Sequence, residues 1–183
     1  WHDARAEPLP HVESVQPARL AKVVAHAREI GTAVLVLDTA PHSEAAALEA
    51  ARCADLVLVP CQPSIMDLRA MRKTVELLRL VKVPAFAVLN NVPAYGAIAD
   101  EAADTITSDL GIPVCPVRFG DRVAYNRCLI SGQVAQELEP LGKAAREVEQ
   151  LYMWTCEQLA MSTLEQARKL TGGHDESLRR RSA

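Results

Sequence analysis

Short apolar runs alternate along this chain with longer stretches of helical periodicity. The runs are AVLVLD at 33–38, ADLVLVP at 54–60, PAFAVLN at 84–90 and a shorter VCPVR at 114–118. HVESV at 11–15 alternates weakly and reads as a further strand. PARLAKVVAHAREI follows it as a helix. Pro17 suits the first turn, and Leu20, Val23, Val24 and Ala27 share a face. Further helical patterns cover roughly 43–53, 65–80, 97–110 and 121–131. A long helix is expected from about 141 to 170, with Val148, Leu151, Tyr152 and Leu159 toward the sheet. Apolar runs buried on both faces and separated by helices predict an α/β fold: a mostly parallel sheet with helices on both sides.

Composition changes this picture little. The chain has 183 residues, enough for one domain, and its aromatic content of 4% leaves Ala, Val and Leu to build the core. A net charge of -3 gives no overall attraction to nucleic acid, so such binding needs a local basic patch. Arg168, Lys169, Arg179, Arg180 and Arg181 form that patch, in a polar tail assigned to 163–183. It reads either as a phosphate-binding segment or as a solubilising tail, and is expected to be disordered. The five cysteines are scattered without a C-x-x-C pair and read as small apolar residues. No apolar run reaches the roughly 20 residues of a membrane span.

Ligands of open parallel sheets bind beyond the carboxyl ends of the strands. The residues ending the apolar runs are therefore the candidates: Asp38 to His42, Pro60 to Ser64, and Asn90 to Pro93. Asp38 ends the most apolar run. A carboxylate there needs compensation, and a hydrated Mg²⁺ is one suitable partner. A helix cap or a surface carboxylate is the other reading.

VLVLDTAPHSEAAALEAARCADLVLVPCQPSIMDLRAM resembles the Walker-B strand, switch and following strand of the ParA/MinD family of P-loop NTPases, especially the small ParA partition proteins. VLNNVPAYGAIADEA resembles their next strand and loop, and GIPVCPVRFGDRVAYNRCLISGQVAQELEP their nucleotide-side loop and helix. The likeness covers nearly all of a domain assigned to 11–162. It implies an ATPase of plasmid or chromosome partition, cytoplasmic and nucleoid-associated, using ATP and Mg. Asp38 would then be the Walker-B carboxylate ordering Mg through water. Thr39, Ala40, Pro41 and His42 would form the γ-phosphate-sensing turn. Asn90 would approach the adenine, Pro116, Val117 and Arg118 would cover the base, and Asp67 and Arg69 would lie near the dimer face. The implied partners are a second copy in an ATP-dependent homodimer, nonspecific DNA and a ParB-like centromere-binding adaptor, with no membrane.

The sequence contains no G-x-x-x-x-G-K-[ST] loop, the element whose backbone N–H groups cradle phosphates. The opening residues resemble the stretch downstream of that loop, so the chain reads as lacking the N-terminal part of the family's domain. The isolated chain is expected to be inactive toward ATP. It is also expected to aggregate through the unpaired edge of AVLVLD. The competing readings are an inactive ParA-like protein that binds DNA or partner subunits, a MinD-like positioning ATPase, and a cobyrinate-amidase-like member of the superfamily.

Overall fold

The computed structural model describes residues 2–39 and 43–160. Two strands form its sheet. β1 (Val57–Cys61) and β2 (Ala85–Leu89) run parallel, in register from Val57 opposite Ala85 to Cys61 opposite Leu89. Parallel neighbours need a crossover, and α3 (Ile65–Val81) supplies it. Beyond β2, isolated parallel bridges join Ala87 to Val114 and Val92 to Gly120. The run at 114–118 extends the sheet only through these bridges. Pro116 has no N–H to donate to a ladder.

Side chains alternate across the sheet with the two-residue period of strands. Val59, Cys61, Ala87 and Leu89 point to one face and join α2 (Glu44–Cys53), α3 and α4 (Ile98–Thr105) in one core. On the opposite face the ring of Phe86 meets Trp154 edge-on, with centroids 4.8 Å apart. Trp154 belongs to α7, the helical residues 143–160. Helices therefore cover both faces, as the alternation of runs predicts. A second cluster joins α5 (Val123–Ser131), α6 (Ala135–Leu138) and α7 through Cys128, Ala135, Ala144 and Ala145.

The helices start and stop where local chemistry dictates. Ser43 and Ser64 cap α2 and α3, their hydroxyls accepting from the N–H groups of Ala46 and Asp67. Lys82 ends α3 in a left-handed conformation with φ 59°. α4 continues into a π-type turn, Ile106–Leu110, whose Ile106 is fully buried. The stretch read as a helix from Pro17 forms a single 3-10 turn, Pro17–Arg19, and then α1 (Leu20–Glu29).

Three expectations are corrected. Residues 11–15 form no strand, and neither does the apolar run 33–38. Val34, Leu35 and Val36 are instead exposed, Val36 at 82%. A strand exists only as part of a ladder, and among the described residues no partner lies beside either segment. The third concerns Tyr152, which is exposed; the sheet-facing stripe of α7 carries Trp154 instead. Residues 161–183, on which the expected continuation to about 170 and the basic tail fall, lie outside the described residues.

The N-terminal segment docks far along the chain. Arg5 donates from Nη1 to the carbonyl oxygen of Gly132 at 2.9 Å and forms a two-point pair with Glu137 at 2.8 and 3.0 Å. Gly132 sits at φ +67°, and a Cβ there would meet the Ala4 carbonyl at 2.4 Å. Only glycine permits both the turn and that close approach.

Candidate functional site at the strand ends

The carboxyl ends of β1 and β2 open onto two neighbouring loops. From β1 the chain turns at Gln62–Ser64 into α3. The Gln62 N–H donates to Asp67 Oδ2 at 2.8 Å, and the Asp67 N–H donates to Ser64 Oγ at 3.2 Å. Ser64 is thus the N-cap of α3, and the Asp67 carboxylate holds the turn before it through Gln62. Asp67, expected near a dimer face, thus serves the turn, whereas Arg69 is exposed on α3.

From β2 the chain passes to Asn90, whose N–H donates to the Cys61 carbonyl at 2.8 Å. Its side-chain Oδ1 accepts from the Asn91 N–H at 2.9 Å. Asn90 is exposed, and among the described residues its side-chain Nδ2 makes no hydrogen bond. Asn91 adopts φ 54°, a left-handed conformation that asparagine tolerates, and its Nδ2 donates to Gln62 Oε1 at 3.3 Å.

The loop after Val114 lies against this edge. The Phe119 N–H donates to the Leu89 carbonyl, the Val92 N–H to the Phe119 carbonyl and the Asp121 N–H to the Val92 carbonyl, each at 2.9 Å. Asn90 and the segment Pro116–Val117–Arg118 are thus brought onto adjoining loops. Pro116 is exposed, Val117 and Arg118 are half-buried, and Arg118 Nη2 pairs with Asp100 at 2.7 Å.

Asp38 and Thr39 are exposed in the connection leading to α2, and no hydrogen bond or ion pair among the described residues ties them to Asn90 or Arg118. Ala40, Pro41 and His42 lie outside the described residues, as do Arg168, Lys169, Arg179, Arg180 and Arg181. Asp38 offers a single carboxylate. Among the described residues no group of three His, Cys, Asp or Glu side chains is placed to hold a metal. Any Mg ion there would depend chiefly on oxygens from a phosphate ligand and water.

One polar cluster beside the loops escaped the sequence reading. Glu147, on α7, accepts from Arg122 Nε at 2.8 Å and from Arg122 Nη2. It also accepts from the Tyr125 hydroxyl at 2.7 Å and the Gly120 N–H at 3.3 Å. Its side chain is 12% exposed. Burial pushes the carboxyl up, but Arg122, then Tyr125 and the Gly120 N–H outweigh it and leave Glu147 below the ordinary carboxylate range. Burial, followed by the hydrogen bond to Glu147, raises the Tyr125 hydroxyl. The cluster ties the 119–125 segment to α7. The only sequence hint was the pair Arg122 and Tyr125 at the start of one helix.

The cysteines near the loops are chemically quiet. Burial, then the charge of Asp67, pushes the Cys61 thiol up to about 11, so it stays protonated at neutral pH. Glu137 behaves oppositely. Its pair with Arg5, then the Val134 N–H, lowers its carboxyl to about 2 from an ordinary 4.5. A depressed carboxylate contributes stability above its unfolded pKa and loses it as pH falls through the folded value. Docking of residues 2–9 should therefore hold above about pH 4.5 and fade toward about pH 2. Amide exchange of that segment as a function of pH checks this; protection that is flat down to pH 2 would contradict it.

No protein-family model matches the chain. Among curated proteins it is similar to the maintenance of carboxysome distribution protein A of Halothiobacillus neapolitanus. The two are 30% identical over 103 residues, 53% of this chain and 47% of that protein. Among solved structures it is similar to the cell division ATPase MinD of Pyrococcus furiosus, with a TM-score of 0.58 and 22% identity. That match covers 74% of this chain and 59% of the MinD chain. The chain thus spans about half the length of the curated relative it matches. No helix among the described residues is long and apolar enough to cross a membrane.

Proposed function

We propose that the chain is of the ParA/MinD type of P-loop NTPase and serves an ATP-driven positioning protein, its strand-end loops receiving the adenine of the nucleotide. The observation that carries this reading is the junction of Asn90 with the 116–119 loop through the Phe119 and Val92 backbone bonds. The Nδ2 of Asn90 suits a ring nitrogen of adenine, an acceptor such as N7. Pro116 and Val117 supply apolar cover for a flat base, and Arg118 is held back from it by Asp100. Asp38 takes the Mg-ordering role and Thr39, Ala40, Pro41 and His42 the phosphate-sensing turn when nucleotide phosphates are present. Within this type, partition of DNA with a ParB-like adaptor and a MinD-like role remain two branches of one reading. Similarity to a protein named for carboxysome distribution supports positioning of a cargo in general. Nonspecific DNA binding through Arg168, Lys169 and Arg179–Arg181 belongs to the first branch.

Adenosine is the informative probe, because it tests the base pocket without phosphates. We expect adenosine to shift backbone amide resonances of 89–92 and 116–120, and Asn90→Ala to weaken it about tenfold, the worth of one hydrogen bond left unmade. Shifts scattered elsewhere, or unchanged affinity in Asn90→Ala, would remove the base-binding role.

A further inference from the structure

Residues 116–118 leave the ladder beside β2 as an arch. The Cys115 N–H donates to the Ala87 carbonyl at 2.7 Å and the Phe119 N–H to the Leu89 carbonyl at 2.9 Å. The loop thus takes four residues, Cys115 to Phe119, over an interval that takes two on β2, Ala87 to Leu89. The surplus is looped out as Pro116, Val117 and Arg118. Such an arch has no ladder of its own, so its position depends on its two feet.

The upstream foot is the buried Cys115, held by the sheet. The downstream foot, residues 119–121, is held twice. One hold is the end of β2, through Leu89 and Val92. The other is Glu147 on α7. Its Oε1 accepts from Arg122 Nε and Nη2, and its Oε2 accepts from the Tyr125 hydroxyl at 2.7 Å and the Gly120 N–H at 3.3 Å. A carboxylate has about four acceptor positions, so Glu147 has none left for a ligand. The Tyr125 ring in turn lies against the ring of Phe119, with centroids 5.8 Å apart. Arg118 also pairs with Asp100, but that carboxylate is 70% exposed, and pairs in water hold little. The largely buried bonds of Glu147 compete less with water.

We propose that Glu147 is a positioning residue for the 116–118 arch, acting through Gly120, Arg122 and Tyr125. The role rests on the base-binding reading above: with the arch held, Pro116 and Val117 stay where they cover the base. α7 thereby governs the site from outside it. Gly120 is the sensitive point of the clamp. A Cβ there would lie 3.0 Å from Arg122 Cζ and Nη2. Gly120→Ala therefore pushes the guanidinium off Glu147 and leaves every charge in place.

Glu147→Ala, Glu147→Gln and Gly120→Ala test the role, at a temperature where circular dichroism shows each variant fully folded. A contribution to stability alone then moves neither of two readouts. The first is the backbone order parameter of Val117 and Arg118 without ligand. It should fall from about 0.85 toward about 0.6 in Glu147→Ala, while β1 and α3 stay rigid. The second is adenosine affinity, which drops with the fraction of molecules holding the arch in place. Adenosine should bind about three- to tenfold more weakly to Glu147→Ala. Glu147→Gln keeps one acceptor oxygen and should recover part of both. If Glu147→Ala does not fold, Gly120→Ala decides, with the same two changes expected. Unchanged order and affinity in the folded variants would overturn the proposal. A looser arch with unchanged adenosine affinity would overturn it too, yet leave the base-binding reading standing. A wild type that binds no adenosine would overturn both.

Discussion

Leu89→Ala should destabilise the chain by about 3–4 kcal/mol, read as a fall in the urea midpoint at unchanged slope. Leu89 is fully buried at the last ladder position of β2, in the cluster with Met71, Val75 and Ile106. Truncation removes three carbons from a core whose neighbours lie on three helices, and the hole cannot close without shifting one of them. Domains of this size have about 5–15 kcal/mol in total, so this one change consumes a large fraction. The control is Val36→Ala at an 82% exposed position, where the change should stay within about 0.5 kcal/mol. Equal effects at the two positions would mean that the core described for β2 is wrong. Leu89 also precedes Asn90, and its carbonyl receives the Phe119 N–H. The same substitution should therefore loosen the 116–119 loop before global unfolding, visible as faster amide exchange there.

Glu147→Gln should cost about 2 kcal/mol, the scale of a charged hydrogen bond lost from a mostly buried group. The amide keeps the shape and can still accept from Tyr125, but Arg122 loses its counter-ion. The pH dependence separates the charge from the shape. Because the folded carboxyl lies below its ordinary 4.5, the wild type holds this stability above about pH 4.5 and loses it on further acidification. Glu147→Gln should lack that part of the acid dependence, leaving the two proteins closest in stability at low pH. A constant gap across pH 3–7 would show that packing, and not the ion pair, explains the loss. Exchange of the Gly120 amide, which donates to Glu147, reports the change locally.

What could be read from the sequence follows from the range of the interactions. α3 was legible because its cap, its apolar stripe and its length are local. Ser64 opens it, and Met71, Val75 and Leu78 lie on one side. β1 and β2 were legible as apolar runs of strand length, and the parallel pairing followed from the helix between them. The run at 33–38 looked the same in sequence, yet strand character belongs to a pair of segments and its pairing could not be read from one. The phase of α7 was misjudged at Tyr152: with 100° per residue, Leu151 and Trp154 fall on one stripe and Tyr152 falls off its edge. In the candidate site, Asn90 was visible as a residue at a strand end, and Arg118 only through the family resemblance. Glu147 was not, because an acid on a polar helix reads as solvated, and its partners lie 22 to 27 residues away.

The Arg5 clamp has a bearing on how the polypeptide is made. Arg5 leaves the ribosome early, but Gly132 and Glu137 emerge only 127 and 132 residues later. Throughout that interval the N-terminal segment has no receptor, whatever the sheet and α3 have achieved. The turn at Gly132 must also form before Ala4 can lie against it, since the contact is backbone on backbone. Residues 2–9 therefore wait for α5 and α6 before they find a place. In the finished molecule they should be the first to open to a protease, while the sheet behind them stays intact.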